Sequence, residues 1–144
     1  MEFDLIIREA LKVRGTAYTP YSHFQVGAAL LTKDGRVYTG CNIENAAYTP
    51  SNCAERTAFF KAVSEGEREF SAIAVAGGRE GATELPVCPP CGVCRQVMME
   101  FCDPDTFQVI LVQSETEYRV CTLGELLPLG FGPEHLEKQK GQIS

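Results

Sequence analysis

Hydrophobic residues recur at helical intervals over residues 2–14, where the apolar positions fall three or four residues apart, and Gly15 ends the pattern. This spacing predicts an amphipathic helix near the start of the chain. Two apolar runs follow, at residues 24–31 and 37–41, and the polar stretch 33–36 separates them. Runs of this length around a short polar turn predict a β-hairpin.

The rest of the chain alternates between helical and strand patterns. It predicts a helix over 53–64 that stops at Gly66, and then a buried strand over 71–76 that is halted by Gly77 and Gly78. A helix over 91–102 follows, and then strands over 107–112 and 117–121. A short helix at 123–127 precedes a polar tail from Glu134. The order α-β-β-α-β-α-β-β-α indicates an α/β fold, with a mixed sheet of about five strands flanked by helices. We expect residues 1–144 to form a single domain.

Composition and charge narrow the possible partners. Hydrophobic residues make up 44% of the 144 residues and charged residues 22%, which is ordinary globular usage. The formal net charge of −6 gives no general attraction for a phosphate backbone, so we expect no nucleic-acid partner. The chain begins without a secretory signal and contains no apolar run long enough to cross a bilayer. We therefore expect a cytoplasmic protein with no membrane partner.

Seven cysteines, an odd number without an export signal, argue against a disulfide framework and leave metal ligation or reduced core thiols. Cys41, Cys102 and Cys121 stand among apolar residues and are expected to be inert core thiols. Cys88, in the extended run before Pro89, is interpreted as a bystander.

The remaining three cysteines suit a metal ion. Cys91 and Cys94 are three residues apart, so both thiols point the same way on a first helical turn, and Cys53 opens another predicted helix. The positive end of a helix lowers the pKa of a thiol and favours the thiolate that binds zinc. Three thiolates with an open fourth position predict a catalytic zinc centre, with one Zn²⁺ per chain.

Two neighbours of Cys53 add chemistry to this centre. Glu55 is a candidate general acid and base, although it can converge with Cys53 only if Cys53 has a non-helical backbone at the very start of its helix. Three thiolates leave Zn²⁺ with a formal charge of −1, and Arg56 is positioned in the sequence to offset it by donating to a ligand sulfur. The alternative for Arg56 is a solvated helix arginine.

A Cys-x-x-Cys pair is also found in redox dithiols and in closed structural zinc sites. A structural site needs a fourth ligand, and the only two histidines are poorly placed, His23 at the start of the hairpin and His135 in the tail. The pattern therefore favours the catalytic interpretation over both alternatives.

Five strings in the sequence resemble one protein family. They are TPYSHFQVGAAL at 19–30, GCNIENAAY at 40–48, CAER at 53–56, PCGVCRQ at 90–96 and LLPLGF at 126–131. Together they resemble the small tetrameric cytidine deaminases of the three-cysteine zinc type over nearly the whole chain. The resemblance implies a three-layer α-β-α sandwich.

The resemblance also implies a reaction, the hydrolytic deamination of cytidine and 2′-deoxycytidine to uridine and 2′-deoxyuridine, which belongs to pyrimidine salvage. In zinc deaminases a water activated by the metal attacks C4 of the base, and a glutamate that is not a ligand moves the protons. By resemblance that glutamate is Glu55, and the zinc ligands are Cys53, Cys91 and Cys94.

Substrate contacts follow from the same resemblance. It implies that Asn42 and Glu44 bind the ribose hydroxyls. Phe24 is expected to pack on the base or sugar, and Ala54 to contact the base through its backbone. Tyr48 is expected to lie in an interface-forming loop, and Phe131 to enter from a neighbouring subunit of a homotetramer.

Two other functions remain open at this point. A deaminase of a modified nucleoside or nucleoside antibiotic would keep the zinc centre and change the sugar pocket, and Asn42 and Glu44 argue against it. A non-catalytic zinc-binding interaction module would make Glu55 incidental.

Overall fold

The computed structural model describes residues 3–136. Its elements are, in chain order, α1 (Asp4–Arg14), β1 (Phe24–Thr32), β2 (Val37–Cys41), α2 (Ala54–Ser64), β3 (Phe70–Arg79), α3 (Gly92–Phe101), β4 (Gln108–Val112), β5 (Tyr118–Thr122) and α4 (Leu123–Leu126). This is the predicted order. Residue 2 of the predicted first helix and residues 137–144 of the predicted tail lie outside the described residues.

The five strands form one mixed sheet in the order β2-β1-β3-β4-β5. Strands β3 and β4 run parallel, and the other neighbouring pairs are antiparallel. The central strand β3 is buried from residue 72 to residue 78, as expected for a strand covered on both faces.

Helices cover both faces of the sheet. On one face α1 packs Ile6, Ile7 and Ala10 against the sheet. On the other face α2 and α3 bury Phe59 and Met98 among their core contacts. Because strand side chains alternate between faces, each layer has its own apolar core. The predicted three-layer arrangement around a mixed five-stranded sheet is confirmed.

The prediction that Gly77 and Gly78 stop the third strand is wrong. Strand β3 continues to Arg79, and the two glycines pair with Val26 and Gln25 of β1. A Cβ atom at Gly77 would lie 2.6 Å from the Cys88 sulfur, and one at Gly78 would lie 2.6 Å from a Leu85 methyl carbon. These positions are glycine because the segment before α3 packs directly on the strand, not because the strand ends there.

A third glycine sets the approach of α2 to the sheet. A Cβ atom at Gly40 in β2 would lie 2.5 Å from both the Ala54 carbonyl oxygen and the Ala58 nitrogen. The first turn of α2 therefore rests on the backbone of β2, which fixes where that helix begins. Among residues 3–136, no helix combines the length and the apolar character needed to cross a membrane.

Candidate metal centre

Three cysteine sulfurs converge where α2 and α3 begin. The Cys53 and Cys91 sulfurs are 3.6 Å apart, the Cys91 and Cys94 sulfurs are 3.4 Å apart, and all three lie within 4.8 Å of one another. Zn–S bonds of about 2.3 Å in tetrahedral geometry put neighbouring sulfurs about 3.8 Å apart, so the spacing fits zinc. Within residues 3–136 no fourth His, Cys, Asp or Glu joins this cluster. The donor set is that of an open site.

The backbone at the two helix starts turns the thiols toward each other. Cys53 is the N-cap of α2 with φ −77° and ψ 155°, and Cys91 is the N-cap of α3 with φ −68° and ψ 167°. Both residues are extended, so the non-helical backbone that the sequence argument requires of Cys53 is present. Cys94 follows in the first turn of α3. The positive ends of two helices thus face one thiol cluster.

The cluster lies at the protein surface, with one edge open. Cys94 is buried, Cys53 is half-buried and Cys91 is exposed. The pKa of Cys53 is lowered to about 5, mainly by a hydrogen bond from the Cys94 thiol and further by the Arg56 guanidinium. The same bond to Cys53 raises the pKa of Cys94 above its ordinary range. Of these two cysteines, Cys53 is therefore the one that loses its proton more readily.

Arg56 lies beside the cysteines, with its Nη2 donating to the Cys53 sulfur at 3.2 Å. Its Nε is buried and has no hydrogen-bond partner among the residues that the structure describes. The side chain is therefore held against the thiolate instead of extending into water. This contact argues against the alternative of a solvated arginine.

Glu55 is nearly fully buried, with 4% of its surface exposed. The pKa of its carboxyl group is raised to about 7, mainly by burial and also by the neighbouring Cys53 charge. A backbone hydrogen bond, Arg56 and a Cys94 hydrogen bond lower it by smaller amounts. Its carboxyl group is not part of the three-sulfur cluster. Glu55 can therefore exchange protons near neutral pH without serving as a ligand.

The other four cysteines do not join the cluster. Cys102 and Cys121 are buried as expected, whereas Cys41 is half-buried. Cys88 packs on Gly77, and burial raises its pKa to about 11, with the charges of Glu55 and Cys53 adding to the effect. Cys88 thus remains a neutral thiol near the centre, outside the ligand set.

The loop between β2 and α2 connects the cysteine cluster to a group of polar side chains. Ile43 and Asn52 form an isolated antiparallel bridge, with N–H to O distances of 3.0 Å and 2.9 Å. The residues flanking this bridge are Asn42 and Cys53, so the bridge brings them to facing positions on adjoining segments. The Asn42 amide accepts from the Val26 N–H at 2.8 Å and donates to the Phe24 carbonyl at 2.9 Å. Asn42 and Phe24 therefore lie together, and Asn42 faces Cys53.

Glu44 and Tyr48 lie further along the same loop. The Glu44 carboxylate accepts from the Tyr21 N–H at 3.0 Å, from the Ser22 N–H at 3.1 Å and from the Ser22 hydroxyl, and that hydroxyl is the main cause of its lowered pKa. Tyr48 has φ +63°, and its ring meets the Tyr21 ring edge-on at 6.4 Å. A cavity of about 370 Å³ is lined by Tyr21, Ser22, Glu44, Asn45, Tyr48 and Ser51.

Ala54 and Phe131 occupy opposite environments. Ala54 is fully buried as the first residue of α2, with its backbone beside the cysteine cluster. Phe131 is 57% exposed after α4, and its ring stacks on the His135 ring at 5.1 Å. Its carbonyl accepts from the Gln96 side chain at 2.8 Å.

Two side chains near the centre, Arg95 and Gln96, make contacts that the sequence did not predict. Arg95 donates to the Pro90 carbonyl at 2.8 Å and to the Leu126 carbonyl at 2.5 Å. Gln96 makes the bond to Phe131 described above. Both side chains reach residues 31 to 35 positions away, and no local pattern in the sequence signals contacts of that kind.

Comparison with known proteins gives a consistent result. The family model described as "Cytidine and deoxycytidylate deaminase zinc-binding region" matches residues 2–110. A protein from Sporosarcina psychrophila named "Cytidine deaminase" is 52% identical over 136 residues, 94% of this chain and 96% of that protein. A protein of the same name from Halalkalibacterium halodurans is 53% identical, over 94% of this chain and 98% of that protein. The crystal structure of cytidine deaminase from Burkholderia pseudomallei is similar with a TM-score of 0.80 and 49% identity, over 91% of this chain and all of that chain.

Proposed function

The chain belongs to the cytidine and deoxycytidylate deaminase family, and we propose that it hydrolyses cytidine and 2′-deoxycytidine to uridine and 2′-deoxyuridine with release of ammonia. The main support for this proposal is the open three-sulfur cluster, together with the buried Glu55, which lies outside that cluster. Family membership also favours an enzyme over the non-catalytic zinc module. The relatives at 52% and 53% identity are named for cytidine, not for a modified nucleoside.

Cys53, Cys91 and Cys94 are the proposed zinc ligands. Their sulfur spacing and the absence of a fourth protein ligand among residues 3–136 support this assignment. Zinc, when bound there, supplies a Lewis acid that makes water reactive at neutral pH. Arg56 offsets the negative charge of the thiolates through its hydrogen bond to Cys53.

Glu55 is the proposed proton carrier. A carboxyl group with a pKa raised to about 7 is suited to both accepting and donating protons at neutral pH. We assign it the removal of a proton from the attacking water and the delivery of protons to N3 of the base and to the departing amine. Each proton removed from the water then leaves on the product or on ammonia.

The nucleoside is proposed to lie along the loop between β2 and α2. Asn42 faces Cys53 across the Ile43–Asn52 bridge, so a base at the metal would place its sugar near the Asn42 amide. The amide already binds β1 on both sides, which holds it in one orientation. Glu44 has a lowered pKa and remains a carboxylate at neutral pH, suited to accept from sugar hydroxyls. Phe24 and the backbone of Ala54 would contact the base from either side of the centre.

We further propose that residues 1–144 form one deaminase domain that assembles as a homotetramer. In this arrangement Tyr48 lies at a subunit contact and Phe131 enters a neighbouring subunit's site. Their exposure, 75% for Tyr48 and 57% for Phe131, supports a role at a contact between chains. Light scattering should give four times the 15.8 kDa mass of the chain.

Seven unpaired cysteines support a reducing compartment, and we propose the cytoplasm.

The direct test combines metal analysis with an absorbance assay on cytidine. The proposal expects about one zinc per chain and loss of the cytidine absorbance as uridine forms. One zinc per chain with no turnover of cytidine or 2′-deoxycytidine would contradict it. Turnover of a modified nucleoside alone would favour the alternative substrate class.

Glu55→Gln separates proton transfer from metal binding. The variant should keep its zinc and lose turnover by about 10²-fold to 10⁴-fold, because the proton carrier is removed and no ligand is changed. Metal content and kcat are measured on the same preparation. Glu65→Gln, an exposed carboxylate at the other end of α2, is the matched control and should retain full activity. Near-normal turnover of Glu55→Gln would refute the assignment.

A further inference from the structure

Residues 127–131, called here the Phe131 loop, connect α4 to Phe131. Leu127 packs against the hydrophobic core, whereas Pro128, Leu129 and Phe131 are exposed. Leu129 at its centre has φ +54° and is fully exposed. Leu127, Leu129 and Gly130 border a cavity of about 970 Å³. A non-glycine residue with positive φ needs its surroundings to hold it. After Leu127, the conformation of this loop therefore depends on specific contacts.

Two consecutive side chains supply such bonds at the two ends of the loop. Arg95 Nη1 donates at 2.5 Å to the carbonyl of Leu126, the residue before the loop. Gln96 Nε2 donates at 2.8 Å to the carbonyl of Phe131, the last residue of the loop. Both anchors belong to α3 and directly follow Cys94.

Arg95 also holds the segment that carries a cysteine of the cluster. Its Nε donates at 2.8 Å to the carbonyl of Pro90, the residue before Cys91. A guanidinium group is planar and presents its donors in a fixed arrangement, so one group can fix the relative positions of two carbonyls. The start of α3 and the end of α4 are joined through this single side chain.

We propose that Arg95 and Gln96 are positioning residues that couple the cysteine cluster to the presentation of Phe131. Gln96 holds the Phe131 end of the loop, where the Phe131 ring also stacks on the His135 ring. Arg95 fixes the other end of the loop together with the peptide that precedes Cys91. The kinetic part of this inference rests on the proposed function, in which Phe131 packs on a nucleoside bound to a neighbouring subunit.

The first readout does not depend on a substrate. The zinc-loaded full chain is digested with chymotrypsin, which cleaves after Phe131 when the loop opens. Mass spectrometry of the digest distinguishes this cut from cuts at other sites. Gln96→Leu keeps a side chain of similar size and loses the donor, so cleavage after Phe131 should be about fivefold faster, as expected for one lost hydrogen bond. Gln96→Lys keeps an N–H donor and should restore most of the protection.

The control uses the same residue type and the same kind of bond at another place. Gln113 donates to the Leu85 carbonyl at 3.3 Å, away from the Phe131 loop. Gln113→Leu should leave cleavage after Phe131 unchanged. Arg95→Lys keeps the positive charge but cannot hold both carbonyls, so it should accelerate both cleavage after Phe131 and zinc release to a chelator.

The second readout is steady-state kinetics on cytidine. Gln96→Leu should raise KM about fivefold and leave kcat and zinc content unchanged, because it alters only the presentation of Phe131. Unchanged cleavage after Phe131 in both Gln96→Leu and Arg95→Lys would overturn the inference. A fall in zinc content in Gln96→Leu would also overturn it, because Gln96 would then support α3 as a whole. Failure of the wild-type chain to deaminate cytidine would refute the proposed function and leave the cleavage result valid.

Discussion

At the scale of single residues, the N-cap position of Cys53 decides the chemistry of the centre. Its extended backbone turns the thiol toward α3, while Glu55, two residues later, lies within regular helix and is buried. In an uninterrupted helix these two side chains would point in different directions. The same turn of α2 brings Arg56 onto the Cys53 sulfur. One helix start thus carries the proposed zinc ligand, the proposed acid and base, and the guanidinium that bonds the ligand sulfur.

Arg56→Gln should lower kcat about 10-fold to 100-fold with zinc content close to one per chain. The guanidinium bonds the sulfur of the proposed ligand Cys53 and would withdraw negative charge from it, and partners of metal ligands typically contribute effects of this size. The measurement is kcat on cytidine together with metal analysis. Arg68→Gln, whose guanidinium bonds the Val63 and Glu67 carbonyls away from the cysteines, is the control and should be unaffected. A kcat within twofold of wild type would mean that Arg56 is only a structural contact.

The sequence carries enough information to find the centre but not its supports. The three-residue spacing of Cys91 and Cys94 follows from local helix geometry, which a linear pattern records, whereas the placement of Glu55 near Cys53 depends on the extended N-cap backbone of Cys53. The contacts of Arg95 and Gln96 join segments more than thirty residues apart and use backbone carbonyls as acceptors. Any residue can supply a backbone carbonyl, so the sequence contains no signal for it.

At the scale of elements, the centre depends on how closely neighbouring segments approach the sheet. Gly40 lets α2 rest on β2, and Gly77 lets the segment containing Cys88 rest on β3. The wrong prediction that β3 stops at Gly77 has the same origin. Taken from the local sequence alone, a glycine pair after an apolar run indicates a turn. In the folded chain, this pair makes room for another segment.

Gly77→Ala should destabilise the fold by about 1–3 kcal/mol, since the new Cβ atom would overlap the Cys88 sulfur. Cys88→Ala in the same chain removes that sulfur and should recover part of the loss. Urea unfolding of the two single variants and the double variant measures the coupling. Strictly additive effects would contradict the contact. Gly92→Ala, where nothing lies within 4 Å of the new atom, serves as the neutral control.

The start of α4 carries a capping box that the sequence analysis missed, although its pattern of a threonine followed three residues later by a glutamate is visible. The Thr122 side chain accepts from the Glu125 N–H, and the Glu125 carboxylate accepts from the Thr122 N–H at 2.8 Å. The latter bond is the main reason that the pKa of Glu125 lies below its ordinary value of 4.5. The charged carboxylate therefore stabilises the folded state.

The capping box predicts a pH dependence of stability. A lowered folded-state pKa gives a contribution that is present above the unfolded pKa and lost as the pH falls through the folded value. Wild type should therefore be more stable than Glu125→Gln at neutral pH, and the difference should shrink below about pH 4.5. Urea unfolding from pH 3.5 to pH 7 measures it, and Glu115→Gln in an exposed turn is the control. Loss of zinc in acid affects all three chains and cancels in the comparison. A difference that does not change with pH would exclude a role for the charge.

At the scale of the whole molecule, the sequence pattern predicted the element order and the mixed sheet, since periodicity and turn residues determine both. It could not predict which side chains remain on the surface of a single chain. Phe131, Tyr48 and Leu129 are exposed although they are large and apolar. In the proposed tetramer they would be covered by neighbouring chains, so a site is completed only on assembly.

Tetramers that combine two different variant chains test whether a neighbouring chain completes each active site. Glu55→Gln chains lack the proton carrier, and Phe131→Ala chains lack the packing aromatic, so each homotetramer should be impaired. If Phe131 enters from a neighbour, co-expressed hybrids contain sites with both groups intact, and turnover with wild-type KM should return. Differently tagged chains allow the hybrids to be purified. Hybrids that show only the raised KM of Phe131→Ala would mean that each chain supplies its own Phe131.

Cys91 remains exposed while Cys94 is buried and Cys53 is half-buried. In the proposed enzyme, the exposed side of the centre that would admit a substrate is also the side from which a toxic agent could arrive. Mercurials and other soft electrophiles react with accessible sulfur, and Cys91 is the proposed ligand that they would meet first. The open position of the proposed zinc centre would thus bring a vulnerability to heavy-metal poisoning that a closed structural zinc site would largely avoid.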